Sequence, residues 1–290
     1  MPLDMTTQDN FIAEVPENLS FKTVFEPTLF KEKKYVINGE TGEYIGVVGK
    51  SFNCADHQDF FYGVQNVMTE NLPAADLKTV DVSWRTARDN AWALMDLKLT
   101  DVSATIRTEK HETTISPRII ALHGIDGSAS NQVFFGKIDF FCTNGMINGE
   151  YDKVRRKNTS NFQMNDFIRE LAALRSDFYV EAQRMQSWAD TPLRGWGTTS
   201  KVQDMLESII KSERKAKKMT DLYYSEAKTR GHNVFALYSA FTNYASYADS
   251  RNGFVLRNTG NDTASESMWK REQEVSKWIS TTEFNSLLAA

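Results

Sequence analysis

Hydrophobic and polar positions alternate through most of the first half of the chain, a pattern typical of β-strands. Two apolar runs, at 34–38 and 43–48, flank a short turn that begins and ends with glycine, which predicts a β-hairpin. From Leu77 to Phe141 apolar residues recur at every second position, and strands are expected at 80–84, 92–99, 103–108, 119–123 and 133–142. Short polar connections join these strands, so we expect an antiparallel meander.

Apolar residues at helical spacing mark one early segment and most of the chain after residue 158. Asp56 is the expected N-cap of the early segment and Pro73 follows its end, which predicts one helix packed on the sheet. In the second half, Ser200 is expected to open a helix and Gly231 to end it. The other helices are predicted from 167 to about 188, from Val234 to Tyr247, and over a final segment that contains Trp269, Val275 and Trp278.

Together these patterns predict an α+β fold, in which an N-terminal antiparallel β meander with a hairpin and one packed helix precedes a C-terminal helical half. The expected parts are an N-terminal arm over 1–30, a β-rich subdomain over 31–150 and a helical subdomain over 151–290. Hydrophobic residues make up 41% of the 290 positions, which is enough to bury a substantial core, and we expect one continuous domain.

Composition disfavours several classes of protein. No stretch approaches the roughly 18 apolar residues that a membrane span needs, and Met1–Asn10 lacks the basic and apolar regions of a signal peptide. Cys54 and Cys142 make neither a disulfide framework nor a zinc site, and both are expected to be buried thiols. We therefore expect a cytoplasmic protein without membrane contact, metal or cofactor.

Two arrangements suggest acid–base or metal chemistry, namely His123 with Asp126 and the run from Cys54 to His57. Neither supplies three convergent groups, and the four histidines of the chain show no ligand spacing. The sequence also lacks the glycine-rich phosphate loop of nucleotide hydrolases. These residues are therefore expected to have structural roles in a protein that is not an enzyme.

Positive charge is concentrated in the middle of the chain, although the net charge of the whole chain is −4. Residues 153–230 contain 16 Lys and Arg against 10 Asp and Glu, a net of +6, so the remainder carries −10. The two sharpest clusters are Lys153, Arg155, Arg156 and Lys157, and then Lys211, Arg214, Lys215, Lys217 and Lys218. Two interpretations remain open: the clusters are solvated faces, or they face one another and line a groove for a polyanion.

Trp196 is the aromatic residue that fits no helix or strand face. It lies between Gly195 and Gly197 and follows Arg194 closely, on a segment that interrupts the helical pattern. A tryptophan on a basic loop is expected to contact a partner. Three other aromatic residues near such interruptions could serve either as stacking surfaces or as core: Trp188, Tyr223 and Tyr224.

Four short segments occur in the order seen in one known family: Tyr44–Val48, His123–Ser128, Cys142–Gly145 and Ala240–Tyr244. Over roughly residues 30–280 the chain resembles the phage/plasmid-like proteins grouped as domain of unknown function 932. Members usually read His-Asp-Gly-Ser without interruption, whereas Gly124 and Ile125 intervene here. The resemblance implies a bacteriophage or mobile-element protein that acts in DNA recombination or replication, and some members look like single-strand annealing proteins.

The leading hypothesis from the sequence is single-stranded DNA binding, with annealing by a homo-oligomer. A basic groove would follow the phosphates while aromatic side chains stack on bases. The residues predicted to bind nucleic acid are Lys153, Arg155, Arg156, Lys157, Arg194, Trp196, Lys211, Arg214, Lys215, Lys217 and Lys218. The alternative is a non-enzymatic protein that binds a host or phage protein, in either case in the host cytoplasm.

Overall fold

The computed structural model describes residues 12–72, 79–139, 144–147, 153–158, 178–251 and 264–288. Its strands are β1 Thr23–Pro27, β2 Lys33–Asn38, β3 Tyr44–Gly49, β4 Val80–Ala87, β5 Trp92–Leu99, β6 Ala104–Arg107, β7 Glu112–Gly124, β8 Asn131–Asp139, β9 Asn144–Ile147 and β10 Lys153–Arg156. Its helices are α1 His57–Asn71, α2 Phe178–Asp190, α3 Thr199–Ile210, α4 Glu213–Arg230, α5 Val234–Arg251, α6 Ala264–Ile279 and α7 Thr282–Ser286. The α+β class and the order of its two halves agree with the sequence prediction.

The predicted hairpin forms β2 and β3, and β1 adds a third antiparallel strand beside β2. The predicted helix after Asp56 is also present as α1. The expected cap is wrong in one respect, because the Asp56 side chain makes no hydrogen bond to its own helix. Its Oδ1 accepts instead from the backbone N–H of Thr23 at 2.7 Å, and its Oδ2 lies 2.9 Å from Nζ of Lys22. Asp56 therefore fastens the first strand to the start of α1.

The larger sheet has the strand order β10-β8-β7-β5-β4, and every pair in it is antiparallel. The meander prediction fails at β6, which does not lie between β5 and β7. The 13-residue strand β7 is long enough for two neighbours, so β6 pairs with Glu112–Ile115 and β5 with Arg118–Gly124. No strand was predicted after residue 142, but the basic segment Lys153–Arg156 is an edge strand, β10.

Helices cover both faces of this sheet, and alternate residues of β7 serve the two sides. Ile119 and Ala121 pack with α1 in one hydrophobic cluster, while Ile120 and Leu122 pack with Trp269 of α6 in another. This arrangement explains why the central strands are buried along nearly their whole length. The position of α6 on the sheet is what orients the candidate site.

The helical half differs from the sequence prediction at one junction. A single helical arm was expected between Ser200 and Gly231, but the chain breaks into α3 and α4. Lys211 takes a left-handed conformation with φ of 58°, and the Ser212 hydroxyl accepts a hydrogen bond from the backbone N–H of Lys215. Gly231 ends α4 as predicted, with φ of 81°. The expected helical positions Phe167, Leu171 and Leu174 lie outside the described residues.

Within the part of the chain that the structure describes, no helix is both long enough and apolar enough to cross a membrane.

Candidate functional site

The inner face of α6 is attached to the sheet by buried charges. Arg118 on β7 donates two hydrogen bonds of 2.7 Å to the carboxylate of Asp96 on β5 and two, of 3.1 and 3.4 Å, to Glu272 on α6. All three side chains are at most 3% exposed. Burial alone would raise the pKa of the Asp96 carboxyl, but the positive charges of Arg118, Arg85 and Lys98 together outweigh burial and hold that pKa below its ordinary value. This network fixes which face of α6 meets solvent.

The outer face of α6 carries exposed cations. Lys270 and Lys277 are seven residues apart, which places both on one side of the helix, and both are exposed. A shallow cleft of about 360 Å³ runs over this side and is lined by Lys270, Arg271, Gln273, Glu274 and Lys277. A second cleft of about 160 Å³ separates α6 from the sheet, and Arg155 contributes to its wall opposite Lys270. The first predicted basic cluster thus borders α6.

That first cluster belongs to β10, which pairs with β8. Arg155, Arg156 and Lys157 are exposed, and Nε of Arg155 donates to the hydroxyl of Ser130 at 2.8 Å. The backbone of Lys153 pairs with Phe134, but its side chain is outside what the structure describes.

The second predicted cluster reaches α6 from α4. Lys215 forms an ion pair with Glu274 of α6, and its Nζ lies 5.8 Å from the ring centre of Trp278. Lys218 Nζ lies 5.8 Å from the ring centre of the half-buried Tyr244, which in turn stacks on Trp278. Lysine and aromatic side chains therefore alternate where α4, α5 and α6 meet.

The remaining members of the second cluster divide into paired and unpaired cations. Lys211 lies 2.8 Å from Glu283 of α7, whereas Arg214 and Lys217 are exposed and have no ion-pair partner among the described residues. Two of the cluster's five cations, Lys211 and Lys215, are thus bound to carboxylates. Exposed pairs of this kind contribute little free energy, so a phosphate can displace the carboxylate at small cost.

Both predicted clusters therefore border the same stretch of one helix. We call this surface the α6 band and define it by its six basic residues, Arg155, Lys215, Lys218, Lys270, Arg271 and Lys277. Two carboxylates lie among them, Glu266 beside Lys270 and Glu274 beside Lys215, which leaves an excess of positive charge. Sequence reasoning missed the three basic residues of α6, and the available signal was the seven-residue spacing of Lys270 and Lys277.

Trp196 forms a separate surface. Its ring stacks on His232 with centroids 3.8 Å apart and planes within 6°, and it remains 45% exposed. The Tyr224 hydroxyl donates to the Trp196 carbonyl, and the Tyr223 hydroxyl lies 3.1 Å from Nδ1 of His232. Burial and the nearby charge of Lys110 lower the pKa of His232, which favours the neutral ring near pH 7. One face of the indole is covered and the other faces solvent.

The Trp196 surface and Arg155 lie near opposite ends of β7. The turn at Glu109, just before β7, adjoins Gly231 next to His232, whereas Arg155 pairs with Gln132, which pairs with Leu122 at the other end. About ten residues of extended strand separate these points, on the order of 30 Å. Arg194 and Trp196 therefore lie far from the Arg155 end of the α6 band.

Two of the three aromatic residues with open roles are core residues. Trp188 is 2% exposed and Tyr223 is fully buried, and both belong to the hydrophobic cluster of the helical half. Tyr224 is half-buried and supports the Trp196 loop.

The turn after β7, which contains the segment His123–Ser128 of the family resemblance, has a structural role. His123 is fully buried, and its Nδ1 lies 2.8 Å from Nδ1 of His57, whose Nε2 lies 2.8 Å from the carbonyl of Asn90. A carbonyl can only accept, so His57 carries its proton on Nε2 and His123 donates from Nδ1. Burial lowers the pKa of His57 to about 4 and lowers that of His123 as well. Both imidazoles are neutral at pH 7.

Asp126 has its own partners in this turn, because its Oδ1 accepts from the backbone N–H of Ser128 at 2.9 Å. The buried amide of Asn158 donates to the carbonyls of Gly124 at 2.6 Å and Ala129 at 3.2 Å, which closes the turn. His123 and Asp126 thus contact different neighbours and do not form the acid–base pair that the sequence suggested.

The thiol of Cys54 is half-buried, and burial raises its pKa to about 12, as expected for an unreactive cysteine. Cys142 lies outside the described residues. In the described segments no three His, Cys, Asp or Glu side chains are grouped so that they could hold a metal ion.

The fold and this surface define an α+β protein in which a C-terminal helix seated on an antiparallel sheet carries a cationic band. The model of the family described as domain of unknown function (DUF932) matches residues 44–281, and the chain belongs to this family. No curated protein and no solved structure matches the chain. The family's description assigns no activity.

Proposed function

We propose that this protein binds single-stranded DNA along the α6 band. The observation that carries the proposal is the convergence of two basic clusters, about 60 residues apart in sequence, on the exposed lysines of a third segment. Arg155, Lys215 and Lys270 come from a strand and two helices, and no local sequence rule requires them to meet. A flexible strand of phosphates is a ligand that such a band can follow.

The repulsion between the positive charges of the α6 band supports a polyanionic ligand. The chain as a whole carries a net charge of −4, yet six basic residues and two acidic residues occupy this surface. Arg214 and Lys215 also lie in the first turn of α4, where the helix macrodipole is positive and cations are unfavourable. Bound phosphates would relieve both sources of repulsion.

Two aromatic surfaces fit the same ligand. Tyr244 is partly exposed beside Lys218 at one end of the band, and Trp196 presents a free ring face on a basic loop. Stacking of a base on an aromatic side chain is worth about 1 to 3 kcal/mol. With Trp196 on the order of 30 Å from Arg155, one strand that engages both must span several nucleotides. In this proposal Arg194 and Trp196 form a second point of contact.

The proposed biological role follows from the resemblance to phage/plasmid-like proteins. We infer a role in recombination or replication of the DNA of a bacteriophage or other mobile element, with annealing of complementary strands as the step that binding serves. The proposed role depends on the family resemblance, whereas the α6 band supports single-stranded DNA as the ligand.

The test is fluorescence anisotropy with labelled single-stranded and double-stranded oligonucleotides at two salt concentrations. The double variant Lys270→Glu with Lys277→Glu should weaken single-strand binding at least tenfold, because two phosphate contacts become repulsive. The matched control, Lys31→Glu with Lys50→Glu, makes the same change in net charge on exposed residues that flank the strands of the small sheet. Equal losses of affinity in both variants would mean that binding depends on net charge alone, and the α6 band would be rejected as the binding site.

A second candidate function, non-enzymatic binding of a host or phage protein, is favoured by one observation. Five of the eight large hydrophobic side chains that are exposed in the described residues lie between Val24 and Val47. Salt distinguishes the two functions, since phosphate contacts weaken steeply as salt rises and a largely apolar interface does not.

A further inference from the structure

The small sheet turns an apolar face to solvent. Strand register sets Val24 beside Ile37 and Tyr35 beside Val47 on one side, and the Tyr44 ring meets Tyr35 edge-on at 5.8 Å. Val24, Val47 and Tyr44 are 39%, 43% and 62% exposed. We call the side formed by these five residues the outer face.

The opposite side of the same sheet is the one that packs on the rest of the protein. Val36 is fully buried and Val48 is 5% exposed, and Phe25 contacts Phe52 edge-on. An antiparallel sheet with one buried face normally carries polar residues on its other face. Here both faces are apolar, and the exposed Leu29 and Phe30 extend the apolar surface at the β1–β2 turn. Contiguous apolar surface of this kind marks an interaction site.

The β1 edge of the sheet is closed to another strand. The backbone N–H of Thr23 is taken by Asp56, and Pro27 has no N–H to donate. A partner is therefore expected to pack on the outer face and not to add a strand beside β1.

We propose that the outer face binds the outer face of a second copy of this chain. Its charged residues are Glu26 and Lys33, which lie diagonally near one end and have no ion-pair partner among the described residues. A two-fold axis parallel to the strands, between β1 and β2, brings Glu26 close to Lys33 of the partner subunit, and the reverse. The face is thus complementary to itself in charge as well as in apolar character.

The size of the surface predicts a weak dimer. Phe30 and Tyr44 can each bury roughly 150 Å² or more, and the aliphatic residues add less. The total comes near the roughly 800 Å² per partner of a standard specific interface, without exceeding it. We therefore expect association at micromolar concentrations, governed by a site independent of the α6 band.

Sedimentation velocity from about 1 to 100 µM tests the proposal, with dimer expected in the upper part of that range. Val47→Glu should raise the dimer dissociation constant at least tenfold, because it buries a carboxylate at the interface. Val180→Glu is the matched control, since Val180 is 54% exposed on α2 and should leave association unchanged. A wild-type protein that stays monomeric up to 100 µM overturns the proposal, as does a dimer that Val47→Glu leaves intact.

A charge exchange tests the geometry even if Val47→Glu fails to fold. Glu26→Lys alone should weaken the dimer, and adding Lys33→Glu should restore it, because the two-fold arrangement again pairs opposite charges. Failure of the double variant to restore association would reject this arrangement. Oligonucleotide binding at nanomolar protein should be unchanged in all these variants, so the outcome is separate from that of the DNA-binding proposal.

Discussion

The two faces of α6 both carry charged residues, yet they use charge in different ways. On the inner face Glu272 meets Arg118 in a buried network, and every charge there has a partner fixed by the sheet. On the outer face Lys270 and Lys277 are exposed, and Lys277 has no ion-pair partner within the described residues. The inner charges set the position of the helix, and the outer charges remain available for a ligand.

The difference shows how location decides what a charge contributes. A buried ion is held by a few strong bonds that salt hardly screens, and removing one partner leaves the other without compensation. An exposed ion contributes little to folding and is screened over about 10 Å at ordinary salt. Mutations on the two faces should therefore affect two separate measurements, the free energy of unfolding and the affinity for DNA.

The largest expected effect is on the inner face. Glu272→Ala leaves the Arg118 guanidinium paired with Asp96 alone and takes away the acceptor of its Nη1–H groups. We expect the free energy of unfolding to fall by about 3 kcal/mol. Urea denaturation followed by circular dichroism measures this loss. A change below about 1 kcal/mol would mean that the network does not hold α6, and the contrast between its faces would disappear.

The buried pair of His57 and His123 predicts how stability depends on pH. The pKa of His57 is about 4 in the folded protein and about 6.5 when unfolded, so the unfolded chain binds more protons between these values. Stability should be fully present above about pH 6.5 and fall with decreasing pH, by up to about 1.4 kcal/mol per pH unit for each buried histidine. Urea midpoints between pH 7 and pH 5 measure the slope, and His57→Gln should reduce it. A flat profile in that range would contradict the burial of the pair.

On the outer face of α6 the expected effect is on DNA binding. Lys270→Gln with Lys277→Gln removes two phosphate contacts without adding negative charge, and the slope of log affinity against log salt should become less steep by about 1.4. Anisotropy titrations at four or more salt concentrations measure the slope. An unchanged slope would place the phosphates elsewhere on the protein. The free energy of unfolding should change by less than about 1 kcal/mol, because Glu266 keeps its ion pair with Arg88.

The smallest expected effect is the change in stability when an exposed residue of α6 is replaced. Lys277→Ala should change the free energy of unfolding by no more than about 0.5 kcal/mol, because the side chain is exposed and has no described ion-pair partner. The measurement is the same urea denaturation used for Glu272→Ala. A loss of more than 1 kcal/mol would assign Lys277 a structural role.

Much of the fold was predictable because it depends on local pattern. Alternation in 92–99 and the helical spacing after Asp56 located β5 and α1 correctly, since each element buries one or both faces against a neighbour. The break at Lys211 was missed because a left-handed lysine has no distinctive sequence signal. The pairing of β6 was missed because strand order depends on contacts distant in sequence.

The candidate site was only half predictable for the same reason. Local charge runs identified Arg155 and Lys215, but nothing in either run indicated that α6 would lie between them. The stacking partner of Trp196 is His232, which is 36 positions away in the sequence and follows a different helix. Convergence of this kind is set by tertiary packing, which the periodicity of single elements does not determine.

The bond between Arg118 and Glu272 joins residues 154 positions apart, and this has a consequence for synthesis on the ribosome. At about 5 to 20 residues per second, roughly 8 to 30 seconds pass between the translation of the arginine and of its glutamate. During that interval the nascent sheet has an ionised side chain with only Asp96 to neutralise it, and the surface that α6 will cover is open to water. Helix α6 therefore closes the structure late, and premature termination before it would release a chain whose sheet stays uncovered on that face.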